Sequence, residues 1–165
     1  MSFEQDKQLA IIGEYTVWKA LDELKGVKQV IDVRDDKRFQ EWDIDLLIVD
    51  SNRQYHGVEV KTDWKAYDTG NFFFETKSRE NVGCLERSKA DYVAFFVPQS
   101  GNIYVCGMKA IRRCLSNHDY RLIQAVDGNV GYILPIGDLE RFNCVEKMIQ
   151  TTPPPIERSK DGRTD

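Results

Sequence analysis

The sequence predicts an α/β or α+β domain in which a mixed central β-sheet is flanked by helices. Two observations favour this class: a helical pattern near the start is followed by several strand-like apolar runs, and short helical segments return late in the chain. That order of elements is typical of a mixed sheet with helices packed on it. The chain has 165 residues, of which 41 % are hydrophobic and 30 % charged, enough for one folded core.

Each element follows from a local pattern. The first helix, over about residues 5–25, is predicted from apolar residues at near-helical spacing, namely Leu9, Ile12, Val17, Leu21 and Leu24. Strands are predicted where apolar runs lie between turn-forming stretches, over 27–33, 44–49, 55–62, 72–74, 92–97, 103–106 and 131–136. Later helices are predicted over 108–115 and 138–149, and a polar loop over 64–70. The aromatic run 72–74 is expected in the core.

The domain organisation predicted is a single domain over residues 1–150 and a disordered tail over 151–165. The tail is rich in proline and poor in apolar residues, which is typical of disorder. No apolar run approaches the ~20 residues of a membrane helix. The first residues lack the basic-then-apolar order of a secretory signal. The protein is therefore expected in the cytoplasm, away from membranes.

Cysteine spacing and charge bear on two classes of function, zinc binding and nucleic-acid binding. The four cysteines form no C-x-x-C pair and have no zinc-ligand spacing to the two histidines, which predicts reduced, buried thiols. The net charge of −4 argues mildly against nucleic-acid binding. Local distribution matters more, because the stretch 109–121 is basic. It holds four cationic residues and one acidic residue: Lys109, Arg112, Arg113, Arg121 and Asp119.

Candidate catalytic residues lie on a predicted hairpin. Asp45 lies near the start of one strand, and Glu59 and Lys61 lie two apart on the next, so they share a face. Antiparallel pairing around the turn 50–54 would bring Asp45 close to Glu59. Two buried carboxylates are costly unless a cation or a lysine pairs with them. The pattern therefore predicts a metal site beside a lysine.

This set of groups suits phosphodiester hydrolysis. Mg²⁺ prefers oxygen ligands and keeps several waters, so Asp45, Glu59 and the backbone carbonyl of Val60 are its predicted ligands. The cation would polarise the phosphoryl oxygen and activate water. Lys61 would orient or deprotonate that water, or offset charge in the transition state. Glu14, in the first helix, would add a carboxylate for a second metal or hold a metal-bound water.

Several alternatives stay open at this point. The chain has three Glu-x-Lys triplets, at 23–25, 59–61 and 75–77. The first lies in a helix, where residues two apart do not share a face, and is expected on the surface. The third competes with the second, with Asp63 or Asp68 as its partner. Asp43 likewise competes with Asp45, since period two would place both on the same strand face.

The arrangement of Glu14, Asp45, Glu59 and Lys61 resembles the PD-(D/E)xK nuclease superfamily. The segments GVEVKTD (57–63), TGNFFFE (69–75) and SKADYVAFF (88–96) resemble small phage-encoded endonuclease-like proteins of this superfamily and, more distantly, archaeal Holliday junction resolvases. The resemblance spans about residues 8–140. Two departures are Ile44, where the family motif has proline, and Cys84, where an aromatic residue is expected.

The resemblance implies a restriction-endonuclease-like fold with a four-stranded mixed core sheet, a DNA substrate, and Mg²⁺, for which Mn²⁺ is expected to substitute. It assigns Asp45 and Glu59 to the metal, Lys61 to catalysis and Glu14 to the helix glutamate of the family. If the chain is phage-encoded, the compartment is the host cytoplasm. Double-strand cleavage would favour a homodimer with two-fold symmetry.

The nearest basic residues are candidates for phosphate contacts, namely Lys65, Lys77, Arg79 and Lys89. Segments 69–75 and 88–91 border the predicted site, either as substrate contacts or as ordinary turns and caps. The function predicted is a metal-dependent DNA endonuclease. The alternative is a catalytically silent nuclease fold that binds DNA or a protein. The preferred DNA structure stays open.

Overall fold

The computed structural model describes residues 3–78 and 81–154. The helices in these ranges are α1 (Phe3–Asp22), α2 (Lys37–Gln40), α3 (Lys65–Thr69), α4 (Cys84–Arg87), α5 (Met108–Asn117) and α6 (Ile136–Arg141). The first five strands are β1 (Val27–Asp32), β2 (Leu46–Asp50), β3 (Tyr55–Thr62), β4 (Asn71–Ser78) and β5 (Asn81–Val82). The remaining strands are β6 (Tyr92–Val97), β7 (Asn102–Gly107), β8 (Leu122–Gln124), β9 (Val130–Pro135) and β10 (Val145–Gln150).

The central sheet is mixed, as the sequence predicts. Its order is β1-β2-β3-β6-β7-β10, and β3 pairs with β6 in parallel while the other neighbours are antiparallel. The predicted class, an α+β fold with a mixed sheet flanked by helices, is confirmed. The sheet has six strands in the described chain, against the four that the resemblance implies, because β7 and β10 extend it beyond β6.

A second sheet, of order β5-β4-β9-β8, packs on one face of the first. Aromatic rings join the two sheets. Phe72 stacks on Phe95 at 4.1 Å between ring centroids, and Phe74 meets Phe95 edge-on at 4.9 Å. Phe72 and Phe74 are fully buried, which confirms that this aromatic run belongs to the core. Such ring pairs stabilise a core by about 0.5–1.5 kcal/mol beyond the area they bury.

Helix α1 covers the opposite face of the central sheet. Val17 and Leu21 pack against Leu46, Val58 and Phe96 in one apolar cluster. Because strand side chains alternate, the residues between these point towards the second sheet. The side chains of Glu59 and Lys61 therefore lie on the face of the central sheet that α1 does not cover.

Two predicted elements are wrong. The helix predicted over 138–149 ends at Arg141, because Asn143 adopts a left-handed conformation (φ 54°) and the chain then pairs with β7 as β10. The apolar residues of this segment fit a helical pattern, but the chain instead pairs with β7, whose backbone N–H and C=O groups on that edge need hydrogen-bond partners. The polar loop predicted over 64–70 contains α3, which ends at Gly70 in the left-handed conformation.

All four cysteines are free and buried, as predicted. Thr151 still belongs to the fold, because its backbone N–H and its hydroxyl both donate to the Gly101 carbonyl at 2.8 Å. Of the tail predicted over 151–165, residues 155–165 lie outside the described residues. No helix among the described residues is long and apolar enough to cross a membrane.

We predict that Gly13→Ala lowers the free energy of unfolding by about 1–3 kcal/mol in urea denaturation. A Cβ at position 13 would lie 1.9 Å from the Thr62 hydroxyl oxygen, so α1 and β3 must separate. The better helix propensity of alanine, about 1 kcal/mol, offsets only part of this. Adding Thr62→Ala removes the clashing hydroxyl and is expected to restore most of the loss. An equal loss in the double variant would contradict the contact.

Candidate active site

The β2–β3 hairpin places Asp45 beside Val58 and Val60. The last regular pair is Leu46 with Val58, and the Asp45 N–H donates to the carbonyl of that same Val58 at 2.9 Å, one residue out of register. Asp45 Oδ2 in turn accepts a hydrogen bond of 2.7 Å from the Val60 N–H. The hairpin and the approach of Asp45 to Glu59 are as the sequence predicts, while the roles of Asp45, Glu59 and Val60 as metal ligands stay predictions.

Glu59 and Lys61 form an ion pair on the next strand. Lys61 Nζ lies 3.0 Å from Glu59 Oε1, and Glu59 is only 6 % exposed. Burial alone would lower the pKa of Lys61, but the charge of Glu59 holds this pKa above its usual value. Lys61 is therefore a cation at neutral pH. The other carboxylate oxygen, Glu59 Oε2, is buried and has no hydrogen-bond partner among the described residues.

Asp45 carries the perturbed carboxyl group of the site. Burial raises the pKa of Asp45 to about 6, and the charges of Glu14 and Glu59 act in the same direction. The hydrogen bond from Val60 and the charge of Lys61 oppose this shift. The shift shows that several carboxylates lie close enough to repel one another. A bound cation would relieve that repulsion.

Glu14 reaches the border of the site from α1. It lines an open depression of about 540 Å³ together with Asp45, Arg34 and Gln40. The Glu14 carboxylate is held by an ion pair with Arg34, whose Nε also donates to Asp32 at 2.9 Å. Sequence reasoning missed Arg34, because nothing in its charged, turn-like surroundings singled it out from its neighbours.

Asp43 is committed to a different partner. It adopts φ 50° in the turn before β2, so it does not share a strand face with Asp45 as period two predicted. Both of its carboxylate oxygens accept from Arg87, at 2.6 and 2.8 Å. Such bidentate pairing with arginine leaves Asp43 less free than Asp45 to bind a cation. The geometry therefore favours Asp45.

A second acid approaches Lys61 from the other sheet. The charge of Glu75 acts on both Lys61 and the thiol of Cys84, so these groups surround one end of the ion pair. The Glu75/Lys77 triplet itself is irregular, because a bulge shifts the β4–β9 register between its two members. Lys77 is exposed, whereas Glu75 accepts a hydrogen bond of 3.2 Å from Asn129. Glu75 thus borders the second triplet, at 59–61, without forming a site with Lys77.

The candidate phosphate contacts are spread over the surface. Lys65 and Lys77 are exposed on the side of the second sheet, and Lys65 borders a cavity of about 330 Å³ with Asp63 and Glu75. The ammonium of Lys89 lies 4.9 Å from the ring centre of Trp42. Arg79 lies outside the described residues.

The border segments make turn and cap contacts. The hydroxyl of Thr69 accepts from the Asn71 N–H at 3.3 Å, and that of Ser88 accepts from the Ala90 N–H at 3.2 Å. These are local side-chain to backbone bonds of the kind that fix turns. They favour the structural interpretation of both segments.

Only a partly hydrated metal site fits these groups. No three His, Cys, Asp or Glu side chains within 3–78 and 81–154 form a cluster that could hold a metal ion. Mg²⁺ commonly binds through one or two carboxylates and retains waters. Asp45 and Glu59 would provide such a minimal set, and Glu59 Oε2 has no hydrogen-bond partner among the described residues.

We predict that Asp45→Asn stabilises the metal-free protein above pH 6. The pKa of Asp45 is about 6 in the folded state, against an ordinary value of 3.8, so the folded state takes up a proton between pH 4 and 6 and stability falls as pH rises through this range. In EDTA at pH 7.5 the variant should gain about 1–2 kcal/mol, and the gain should vanish below pH 4. Asp68→Asn, at an exposed carboxylate, is the control. A gain that does not change with pH would contradict this prediction.

We predict that Glu59 and Lys61 are coupled in stability. Lys61→Met leaves a buried carboxylate without a cation and should lower the free energy of unfolding by about 3 kcal/mol in urea at pH 7. The double variant with Glu59→Gln should lose clearly less than the sum of the two single losses. Lys25→Met, in the surface triplet, provides the matched control. Additive losses would show that the ion pair makes no net contribution.

Comparison with solved structures gives a partial likeness to a nuclease. No protein-family model matches the chain, and no curated protein sequence matches it. Among solved structures, a bacterial homing endonuclease, I-Ssp6803I, is similar with a TM-score of 0.43 and 23 % identity, covering 62 % of this chain and 65 % of that chain. The chain thus spans just under two thirds of that protein. A likeness of this degree carries no argument about activity, and the chemistry rests on the residues described above.

Proposed function

We propose that this protein is a magnesium-dependent DNA endonuclease that hydrolyses phosphodiester bonds at Asp45, Glu59 and Lys61. One observation carries the proposal: a β-hairpin brings two carboxylates together beside a half-buried lysine, and one oxygen of Glu59 has no hydrogen-bond partner among the described residues. Buried polar atoms are normally satisfied, so such an oxygen marks a position for a ligand. A hydrated divalent cation is the ligand that this set of oxygens fits best.

In this proposal Asp45 and Glu59 hold the cation, with the Val60 carbonyl as a further ligand. When bound, Mg²⁺ supplies Lewis-acid polarisation of the phosphoryl group and a water of lowered pKa, and Mn²⁺ would supply the same chemistry. The Val60 N–H fixes Asp45 by a 2.7 Å hydrogen bond. The N–H and the carbonyl of Val60 would therefore both contribute to the site, the first by holding Asp45 and the second by binding the cation.

Lys61 would act as a cation rather than as a base. Its pKa is held above the usual value by Glu59, so it carries a proton at neutral pH. A protonated ammonium 3.0 Å from Glu59 Oε1 can donate to a phosphoryl oxygen or to the attacking water. This favours charge stabilisation over proton abstraction among the roles that the sequence left open.

Glu14 is proposed to position water at the rim of the site. It lines the depression beside Asp45, and Arg34 fixes its carboxylate. A carboxylate held in this way can accept a hydrogen bond from a metal-bound water without itself binding the metal. The basic residues Lys65, Lys77, Arg79 and Lys89 remain proposed phosphate contacts.

A second candidate is a catalytically silent module that binds DNA or a protein partner. The observation that favours it is the closure of the site by its own ion pairs, Glu14 with Arg34 and Lys61 with Glu59. A site satisfied in this way is stable without a metal. The two candidates differ in one measurable property, turnover in the presence of Mg²⁺.

We predict cleavage of DNA that depends on Mg²⁺ or Mn²⁺ and is abolished by EDTA. Supercoiled plasmid, linear duplex, single strand and a four-way junction are the substrates, assayed beside Lys61→Met and Asp45→Asn. Each variant should lose at least about 100-fold in rate, the scale of one electrostatic or metal contribution. Lys25→Met carries the same substitution in the surface triplet and should retain activity. Lys77→Met, in the third triplet, should lose far less than Lys61→Met, because it removes only a proposed phosphate contact.

The outcomes separate the candidates. Binding without cutting in any metal would support the silent module, and loss of activity in Lys77→Met but not in Lys61→Met would move the site to the third triplet. Nicked plasmid as the only product would indicate a monomer acting on one strand. Linear product at early times would support the proposed homodimer, which light scattering on a sizing column can test directly.

A further inference from the structure

A second charged groove lies where the start of β6 meets the start of α5. We name it the α5 groove, and its volume is about 410 Å³. Its charged side chains are four cations and two carboxylates beside His56, namely Lys89, Lys109, Arg112, Arg113, Asp91 and Glu146. The whole chain has a net charge of −4, so a local excess of positive charge runs against its composition. Such an excess indicates an anionic ligand.

Helix α5 presents this charge by its amphipathic pattern. Met108, Ile111 and Cys114 are buried in the apolar cluster between the two sheets, which directs positions 109, 112 and 113 away from that cluster. Arg112 is committed to the fold, because its guanidinium donates to the carbonyls of Leu85 and Ser88 at 2.8 and 2.7 Å. Arg112 therefore holds α4 in place. An anionic ligand would be contacted by the other cations of the groove.

The remaining cations of the groove are not neutralised by an ion pair within the part of the chain that the structure describes. Within the described residues Lys89, Lys109 and Arg113 take part in no ion pair. Lys109 and Arg113 are also exposed. Cations that are left unpaired beside each other repel, and an anion that bridges them relieves this repulsion.

The two carboxylates differ in how firmly they are held. Asp91 Oδ2 accepts a 2.9 Å hydrogen bond from the Gly57 N–H and so belongs to the sheet. Glu146 Oε1 lies 3.3 Å from the position that a Cβ on Gly107 would occupy, at the start of α5. Gly107 provides no side-chain cap for the first turn. Glu146 therefore stands near a helix N-terminus that would also attract an anionic ligand.

The α5 groove connects to the candidate active site through a short chain of contacts. The Lys89 N–H donates to the Trp42 carbonyl at 2.9 Å, and the Lys89 ammonium lies over the Trp42 ring. The next residue, Asp43, holds Arg87, and the charge of Glu59 acts on Arg87 as well. These contacts link the backbone of the groove residue Lys89 to the side chains that surround Glu59.

We propose that the α5 groove binds the sugar–phosphate backbone of DNA beside the cleavage position, with Lys109 and Arg113 contacting phosphates. This inference rests on the proposed function and extends it. The contacts would be independent of sequence, because they go to phosphates rather than to base edges. Glu146 opposes binding as a like charge in the same groove.

The test is DNA binding in EDTA, where no cleavage occurs, by fluorescence anisotropy of a labelled 30-base-pair duplex. Lys109→Ala/Arg113→Ala should weaken binding about tenfold or more and reduce the slope of log K against log salt by about 1.8. Lys19→Ala/Lys28→Ala makes the same charge change at exposed positions of α1 and β1 and should have little effect. Glu146→Gln should change affinity in the opposite direction and tighten binding.

The groove and the nuclease proposal can fail separately. If the α5 variant binds and cuts like the unmodified protein, the groove proposal is overturned and the nuclease proposal stands. If no DNA is cut in any metal but binding falls in the α5 variant and rises in Glu146→Gln, the groove proposal stands alone. If the α5 variant and the Lys19→Ala/Lys28→Ala control weaken binding equally, the effect comes from net charge alone and the groove proposal is overturned.

Discussion

The buried carboxylate of Glu59 is the constraint on which the candidate site depends. It lies on β3, between β2 and β6, where it is 6 % exposed and removed from most of its hydration. An ionised carboxylate in such a place is stable only when cations and donors surround it. Lys61 supplies a cation on the same strand, and the charge of Arg87, at the end of α4, acts on Glu59 as well. Cations therefore lie beside Glu59 although the chain as a whole is acidic.

The acids around this position are not equivalent. Three of them have an assigned cation: Glu59 has Lys61, Glu14 has Arg34, and Asp43 has Arg87. Asp45 takes part in no ion pair within the described chain and has only a backbone N–H to hold it. Burial raises the pKa of Asp45 to about 6, and no ion pair offsets this shift within the described chain. This raised pKa makes Asp45 the group whose charge changes most when a divalent cation arrives.

The sequence predicted the local part of this arrangement and missed the long-range part. The β2–β3 hairpin follows from two apolar runs and the turn between them, so the approach of Asp45 to Glu59 was visible. The partners that decide each acid's role come from distant segments: Arg87 is 44 residues from Asp43, and Arg34 is 20 from Glu14. No local pattern identifies such pairs. They depend on how the elements pack.

The prediction of the fold likewise succeeded for local patterns and failed for long-range pairings. Strands with strong apolar runs were found, whereas β10 was taken for a helix because its apolar residues also satisfy a helical period. What decided its conformation was the unpaired edge of β7, which lies in another part of the chain. The second sheet was missed for a related reason, since its strands pair only with one another and nothing in their sequence assigns them to a separate sheet.

The interleaving of the two sheets has a consequence for how the chain is made. The chain leaves the central sheet after β3, builds β4 and β5, returns as β6 and β7, departs again through β8 and β9, and returns as β10. On a ribosome the hairpin with Asp45 and Glu59 emerges early, but its parallel neighbour β6 follows some thirty residues later. Until then Glu59 stays in water, since β6 and the sheet that buries it have not been synthesised. The residues of the site are therefore synthesised early, whereas the elements that bury them are synthesised late, as is typical of structures dominated by distant pairings.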